Sequence, residues 1–185
     1  LAIAWTFGGD SAAPVSAGSY EVVAEIDAAN YVGSATGTLV VAKAAATVVL
    51  ENLAQTYDGA PRRTAATTVP AGLAVDFTYG GAETAPTAAG TYAVTGTVQD
   101  ANYAGMATGT LEVAKAVATV MLEGLTQPYD GMPKSAAALT DPWGLAVDLT
   151  YDGAETAPVA EGCYAVTGTV QDANYTGSAW GPLVI

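Results

Sequence analysis

The chain has 185 residues, five of them basic and eighteen acidic, with no histidine and one cysteine, for a formal charge of −13. That balance excludes nucleic acid and other polyanions, because phosphate binding needs Lys and Arg to displace counterions, and it disfavours anionic membrane surfaces for the same reason. No apolar run is long enough to cross a bilayer as a helix, and without histidine the imidazole metal sites and the usual base of a nucleophilic triad are missing.

Half of the residues are apolar, most of them Ala and Val, and they recur in a fixed frame with a period of 72 residues. Tyr57-Asp58-Gly59 returns as Tyr129-Asp130-Gly131, and Asn30-Tyr31 returns as Asn102-Tyr103 and again as Asn174-Tyr175. Residues 44–113 and 116–185 agree at roughly two-thirds of positions, as serial duplication of one small folding unit produces. The period predicts complete repeats at 44–115 and 116–185, with 1–43 as the latter part of a truncated repeat that matches 73–115. A unit of this size buries only about 60% of its unfolded surface, so packing between neighbours is expected to matter.

Within the repeat 44–115, Thr47 to Leu53 is rich in β-branched residues, and Arg62 to Val69 is a second Thr-rich run bounded by Pro61 and Pro70. Both read as strands. Leu73 to Tyr79 alternates strictly, sending Leu73, Val75, Phe77 and Tyr79 to one face and Ala74, Asp76 and Thr78 to the other. The following Gly80-Gly81 becomes Asp152-Gly153 one repeat later and Gly8-Gly9 one earlier, all pairs that tolerate the two positive φ angles of a type I′ turn. Thr91 to Val98 alternates again with Tyr92, Val94 and Val98 inward, and Gly109 to Val113 closes the repeat with Leu111 and Val113 inward. No segment has helical periodicity. The fold expected is therefore all-β, a tandem of small immunoglobulin-like β-sandwich modules, with a β-grasp-like module as the alternative. The spacing Gly90-Thr91-Tyr92, repeated at Gly18 and Gly162, suggests a corner in which the tyrosine hydroxyl bonds back to the preceding loop.

Catalysis would have to rest on carboxylates such as Asp58, Asp76, Glu83 and Asp100. A module this small leaves little room for a substrate cleft, so no enzyme is expected. Asp100 and Asn102, with Asp172 and Asn174, place two side-chain oxygens at the spacing used by loop sites for hard cations, which makes calcium the candidate cofactor. The same residue types also cap their own turns. Tyr57 and Tyr129 beside Asp-Gly read either as plugs of a sandwich end or as stacking platforms for sugars. Trp143 and Trp180 replace Ala71 and Thr108 of the preceding repeat. The fold does not require them, and at least one is expected to be exposed and to contact a neighbouring repeat or a partner. Cys163 stands where Thr91 and Ser19 stand and is expected to be a small half-buried replacement for them.

Four ordered motifs cover the chain: Tyr57-Asp58-Gly59-x-Pro61, Ala89-Gly90-x-Tyr92, Asp100-Ala101-Asn102-Tyr103-x-Gly105 and Gly109-Thr110-Leu111-x-Val113-x-Lys115. Together they resemble the MBG and YDG-type repeats of long bacterial secreted and cell-surface proteins. The resemblance implies an extracellular, adhesin-like protein in which the modules form a non-catalytic stalk or spacer. The alternative is a multivalent module that binds carbohydrate or a host surface protein. The partners expected are neighbouring repeats of the same chain and then a glycan or host protein, with no nucleic acid and no membrane insertion. The family is defined by its repeats, so no binding residue carries over from it.

Overall fold

The computed structural model describes every residue, Leu1–Ile185, and every regular element in it is a strand. The first repeat contributes β1 (Ala2–Phe7), β2 (Gly18–Asp27) and β3 (Ser34–Val41). The second contributes β4 (Ala44–Ala45), β5 (Thr47–Glu51), β6 (Ala54–Thr56), β7 (Ala65–Val69), β8 (Ala74–Tyr79), β9 (Gly90–Gln99), β10 (Tyr103–Ala104) and β11 (Met106–Ala114). The third contributes β12 (Ala116–Val117), β13 (Thr119–Glu123), β14 (Ala137–Asp141), β15 (Val147–Tyr151), β16 (Cys163–Val170), β17 (Tyr175–Thr176) and β18 (Ser178–Val184). A β-grasp-like module lays a helix across its sheet, and no residue here is helical, which removes that alternative.

The third repeat shows how period-2 patterning becomes a core. β13 and β14 form an antiparallel pair in which Val120 faces Thr140, and β15, β16 and β18 form an antiparallel sheet with β16 in the middle. The two layers share one interior. Ala118, Val120 and Val170 cluster with Val147 and Ala179, while Tyr151, Val166 and Leu183 cluster with Leu125, Leu149 and Tyr164. Leu122 packs against both groups and joins them. Each fully buried Val or Leu contributes about 1.5–3 kcal/mol of transfer free energy, and Val166 and Leu183 have no exposed surface at all.

The second repeat reuses these parts. β5 pairs with β7 so that Val48 faces Thr68, and β8 pairs with β9 so that Val75 faces Val98 and Tyr79 faces Val94. β6 runs parallel to the end of β11, as Thr126 bridges Val184 in the third repeat. Gln55 secures this crossing by donating from its amide nitrogen to the carbonyls of Asn52 and Arg63, at 2.8 and 2.9 Å. Gln127 makes the same pair of bonds to Gly124 and Ser135. The buried Tyr79 hydroxyl accepts the amide of Thr64 at 3.0 Å, as that of Tyr151 accepts the amide of Ala136 at 2.9 Å.

Several strand limits differ from the sequence-based ones for local reasons. β5 stops at Glu51 because Asn52 takes φ 57° and turns the chain. β7 starts only at Ala65, since Arg62 donates its amide to Pro86 and lays its guanidinium on the Asp58 carboxylate. The Gly80-Gly81 turn has the two positive φ angles expected, 58° and 89°, yet it is closed by a single residue pair, Tyr79 with Ala82. Cys163 is exposed rather than half-buried, because it lies on the outward face of β16.

The first repeat is a three-stranded antiparallel sheet with β2 central. Leu1, Ile3 and Trp5 are 78%, 52% and 51% exposed, whereas their counterparts Leu73, Val75 and Phe77 are half-buried. The chain forms two compact units whose limits cut across the repeats. One holds Leu1–Glu51, Thr64–Thr84 and Ala93–Gly109, and the other holds Asn52–Arg63, Ala85–Tyr92 and Thr110–Ile185. The second repeat thus contributes to both.

Candidate functional site: the junction between repeats

A tyrosine corner builds the upper half of each junction. Tyr20 donates its hydroxyl hydrogen to the carbonyl of Ser16 at 2.8 Å, Tyr92 to Ala88 at 2.9 Å and Tyr164 to Ala160 at 2.9 Å. This bond folds the loop before β2, β9 and β16 into one shape, as the Gly-x-Tyr spacing predicts, and it leaves the amide of the next residue free to face outward. That residue is Ala17 in the first repeat, Ala89 in the second and Glu161 in the third.

The lower half comes from the Asp-Ala-Asn-Tyr-x-Gly motif of the following repeat. In the first unit, Asp100 Oδ1 accepts the amides of Asn102 and Tyr103 at 2.7 and 2.9 Å, which closes the turn on itself. The turn aims Asn102 at the preceding repeat, where its Oδ1 accepts the amide of Ala17 at 2.8 Å. β4, the segment linking the two repeats, lies parallel to β10, with Ala44 donating to the Asn102 carbonyl and Ala46 to that of Ala104, both at 2.8 Å. Lys43, just before β4, donates its ammonium to the Asp100 carbonyl at 2.7 Å.

Within the second unit the same atoms meet again. Asn174 Oδ1 accepts the amide of Ala89 at 2.8 Å, and Asp172 Oδ1 accepts those of Asn174 and Tyr175. Lys115 donates to the Asp172 carbonyl at 2.7 Å, and β12 lies parallel to β17. Tyr57 adds an edge-on contact with Tyr175, their ring centres 5.3 Å apart and their planes at 81°, a favoured geometry for aromatic pairs. The glycine of the motif has a steric reason as well. A Cβ at Gly105 or Gly177 would collide with the carbonyl oxygen of Ala46 or Ala118, so any side chain there would push the linker strand off the turn.

The structure thus brings Asp100 with Asn102, and Asp172 with Asn174, into two equivalent loops. One oxygen of each Asp and the Asn side-chain oxygen are occupied by amide hydrogens there, and no three His, Cys, Asp or Glu side chains converge anywhere in the chain. Asp58 accepts the amide of Ala60 beside its ion pair with Arg62. In the third repeat Lys134 lies 2.6 Å from Asp130 and holds that carboxyl below its ordinary range, chiefly through their hydrogen bond. Tyr57 is half-buried in the junction, and its counterpart Tyr129 is 55% exposed. Trp143 and Trp180 are 87% and 68% exposed. Sequence reasoning missed the clasp made by Asn102 and Asn174, and it missed Lys43 and Lys115 as its partners. Their recurrence at a 72-residue spacing was the available signal.

A model of the MBG domain matches the chain three times, over residues 1–45, 46–117 and 118–185, which together span its whole length. No curated protein matches it.

Proposed function

The chain belongs to the MBG domain family, and on that premise we propose that it is a non-catalytic structural array. It serves as a stalk or spacer of immunoglobulin-like β-sandwich repeats in a bacterial adhesin-like protein at the cell surface. The observation that carries this reading is the junction. A spacer transmits position and force from one repeat to the next, and that requires contacts that fix each repeat on its neighbour. The Asn clasp, the linker strand paired with the turn, and the Lys bond to the turn carbonyl recur with the same atoms at both junctions. Hydrogen bonds of this kind contribute about 0.5–1.5 kcal/mol each and more when one partner is charged, so several together hold a linker of two or three residues in one conformation. The surplus of acid favours solubility and mutual repulsion between neighbouring arrays.

Solution scattering on the whole chain tests this, with and without millimolar calcium and beside the double variant Asn102→Ala/Asn174→Ala. The spacer reading expects the wild-type curve to fit one conformation and the double variant to need an ensemble. A wild-type chain as flexible as the variant would refute it. Stiffening only when calcium is added would transfer the role to a cation at the Asp100 and Asp172 loops.

A second reading, a module that binds a glycan or host surface protein and gains by multivalency, is favoured by Trp143 and Trp180. Both indoles are exposed, and the second repeat folds with Ala71 and Thr108 in their places. A glycan and host-protein screen in which binding disappears with Trp143→Ala/Trp180→Thr would support it, and binding indifferent to both changes would end it.

A further inference from the structure

The repeats lay their opening segments parallel to their closing ones. The pairs β4–β10, β6–β11 and β12–β17 and the Thr126–Val184 bridge are all parallel, whereas β13–β14, β15–β16 and β16–β18 are antiparallel. The difference matters for a chain under tension. Pulling apart the open ends of an antiparallel hairpin strains its end bond first, and the bonds then fail one after another. Drawing a strand lengthwise past a parallel neighbour strains every bond between them at once, since those bonds are evenly spaced along the pair.

The linker at Lys115 is held by such pairs on both sides, all within the second unit. On the side of the second repeat, Glu112 donates its amide to the Leu53 carbonyl and Tyr57 donates to that of Ala114, both at 2.8 Å. On the side of the third repeat, Ala116 donates to the Asn174 carbonyl at 2.9 Å and Ala118 to that of Thr176 at 2.8 Å. Tension carried through the linker draws β11 forward along β6 and β12 backward along β17, so both patches are loaded in shear. The third repeat has a closing patch of the same kind, where Gln127 donates to the Val184 carbonyl at 3.0 Å and Val184 to that of Leu125 at 2.9 Å. Nearly unbroken strand, β17 and then β18, separates its two patches by about 30 Å. Between them β18 is anchored to β16 over seven residue pairs and by Leu183, which has no exposed surface.

We propose that the repeats are load-bearing, with tension entering and leaving each one through parallel patches whose bonds must break together. Lys115, which donates to the Asp172 carbonyl beside the β12–β17 pair, adds a charged bond to the patch on its side. The antiparallel hairpins lie between the patches in the path of the chain and are shielded from the load until a patch gives way. This rests on the spacer reading and deepens it, since a spacer need only hold its neighbours in place, whereas these contacts are arranged to resist pulling along the chain.

The test holds the full chain at constant force in an optical trap, with Cys163→Thr removing its one native thiol. Load is applied in two ways. One runs between a thiol placed by Ala114→Cys and the C terminus, and the other between thiols placed by Thr119→Cys and Asp141→Cys, which face each other across the open end of the β13–β14 hairpin. Forced opening is governed by the unfolding rate. At equal force the third repeat is expected to survive at least about fivefold longer under the end-to-end load, because at least one more hydrogen bond must break in the same step. Ala116→Pro removes the donor to Asn174. It is expected to shorten the end-to-end lifetime about 2- to 12-fold, the effect of one hydrogen bond, and to leave the hairpin-loaded lifetime unchanged. Equal lifetimes in the two directions would overturn the proposal, and so would a proline that shortens both alike, since the patch would then serve stability in general. Either result, beside a scattering curve that fits one conformation, would leave the spacer reading standing.

Discussion

Replacing Asn174 with Ala removes the acceptor from the amide of Ala89 while leaving the turn closed by Asp172, whose Oδ1 bonds go to backbone amides that the substitution retains. The Ala89 amide is part-buried, and stranding such a donor costs about 1–3 kcal/mol. That penalty falls on docking between repeats and not on the core of either one, so the fraction of time the junction is open should rise by about 5- to 150-fold. Amide hydrogen exchange followed by NMR reads this directly, because local opening sets the exchange rate of each protected amide. Exchange at Ala89 is expected to accelerate by that factor, while the amide of Val166 in the third core and that of Ala17 in the other junction keep their wild-type rates. Asn174→Asp retains an oxygen acceptor and is expected to restore most of the protection. The reasoning fails if Ala89 exchanges freely in the wild-type chain, or if Ala89 and Val166 accelerate together, since the clasp would then be ornamental or part of global stability.

Gly177→Ala puts a methyl group against the Ala118 carbonyl oxygen, and forcing such an overlap costs about 1–3 kcal/mol; protection of the Ala118 amide, which bonds to Thr176 at 2.8 Å, should fall in exchange experiments. Tyr151→Phe strands the buried amide of Ala136 and should lower the urea midpoint of the third repeat by an amount equivalent to about 1–3 kcal/mol. An unchanged midpoint would mean that water takes the place of the hydroxyl. For Asp130 the folded carboxyl titrates below its ordinary value near 3.8 because Lys134 bonds to it. Its contribution to stability is therefore present above that value and is lost as the pH falls through the depressed folded one. An NMR titration should return the Asp130 midpoint toward the ordinary range in Lys134→Met, and no movement would deny the pairing.

Strand identity was legible in the sequence wherever one face of a strand is buried and the other wet, since alternation then has a physical cause. Leu73 to Tyr79 and Tyr92 to Val98 face as their alternation predicts, and Leu111 and Val113 are buried as expected. The tyrosine corner was legible for a related reason, because its bond spans only four residues. Strand ends were less so. Asn52 and Arg62 end or delay strands through a positive φ and an ion pair that composition does not announce.

Periodicity by itself determined that the chain is a tandem of like β units, because duplication preserves the spacing of every residue a common fold requires. What Asn102 and Asn174 do was decided only by the tertiary structure. Their spacing from Asp100 and Asp172 suits a turn first and a cation loop second, and the amide each one accepts lies 85 residues earlier in the chain. A side-chain oxygen bonds to whatever donor folding brings within about 3 Å, and sequence separation carries no trace of that proximity.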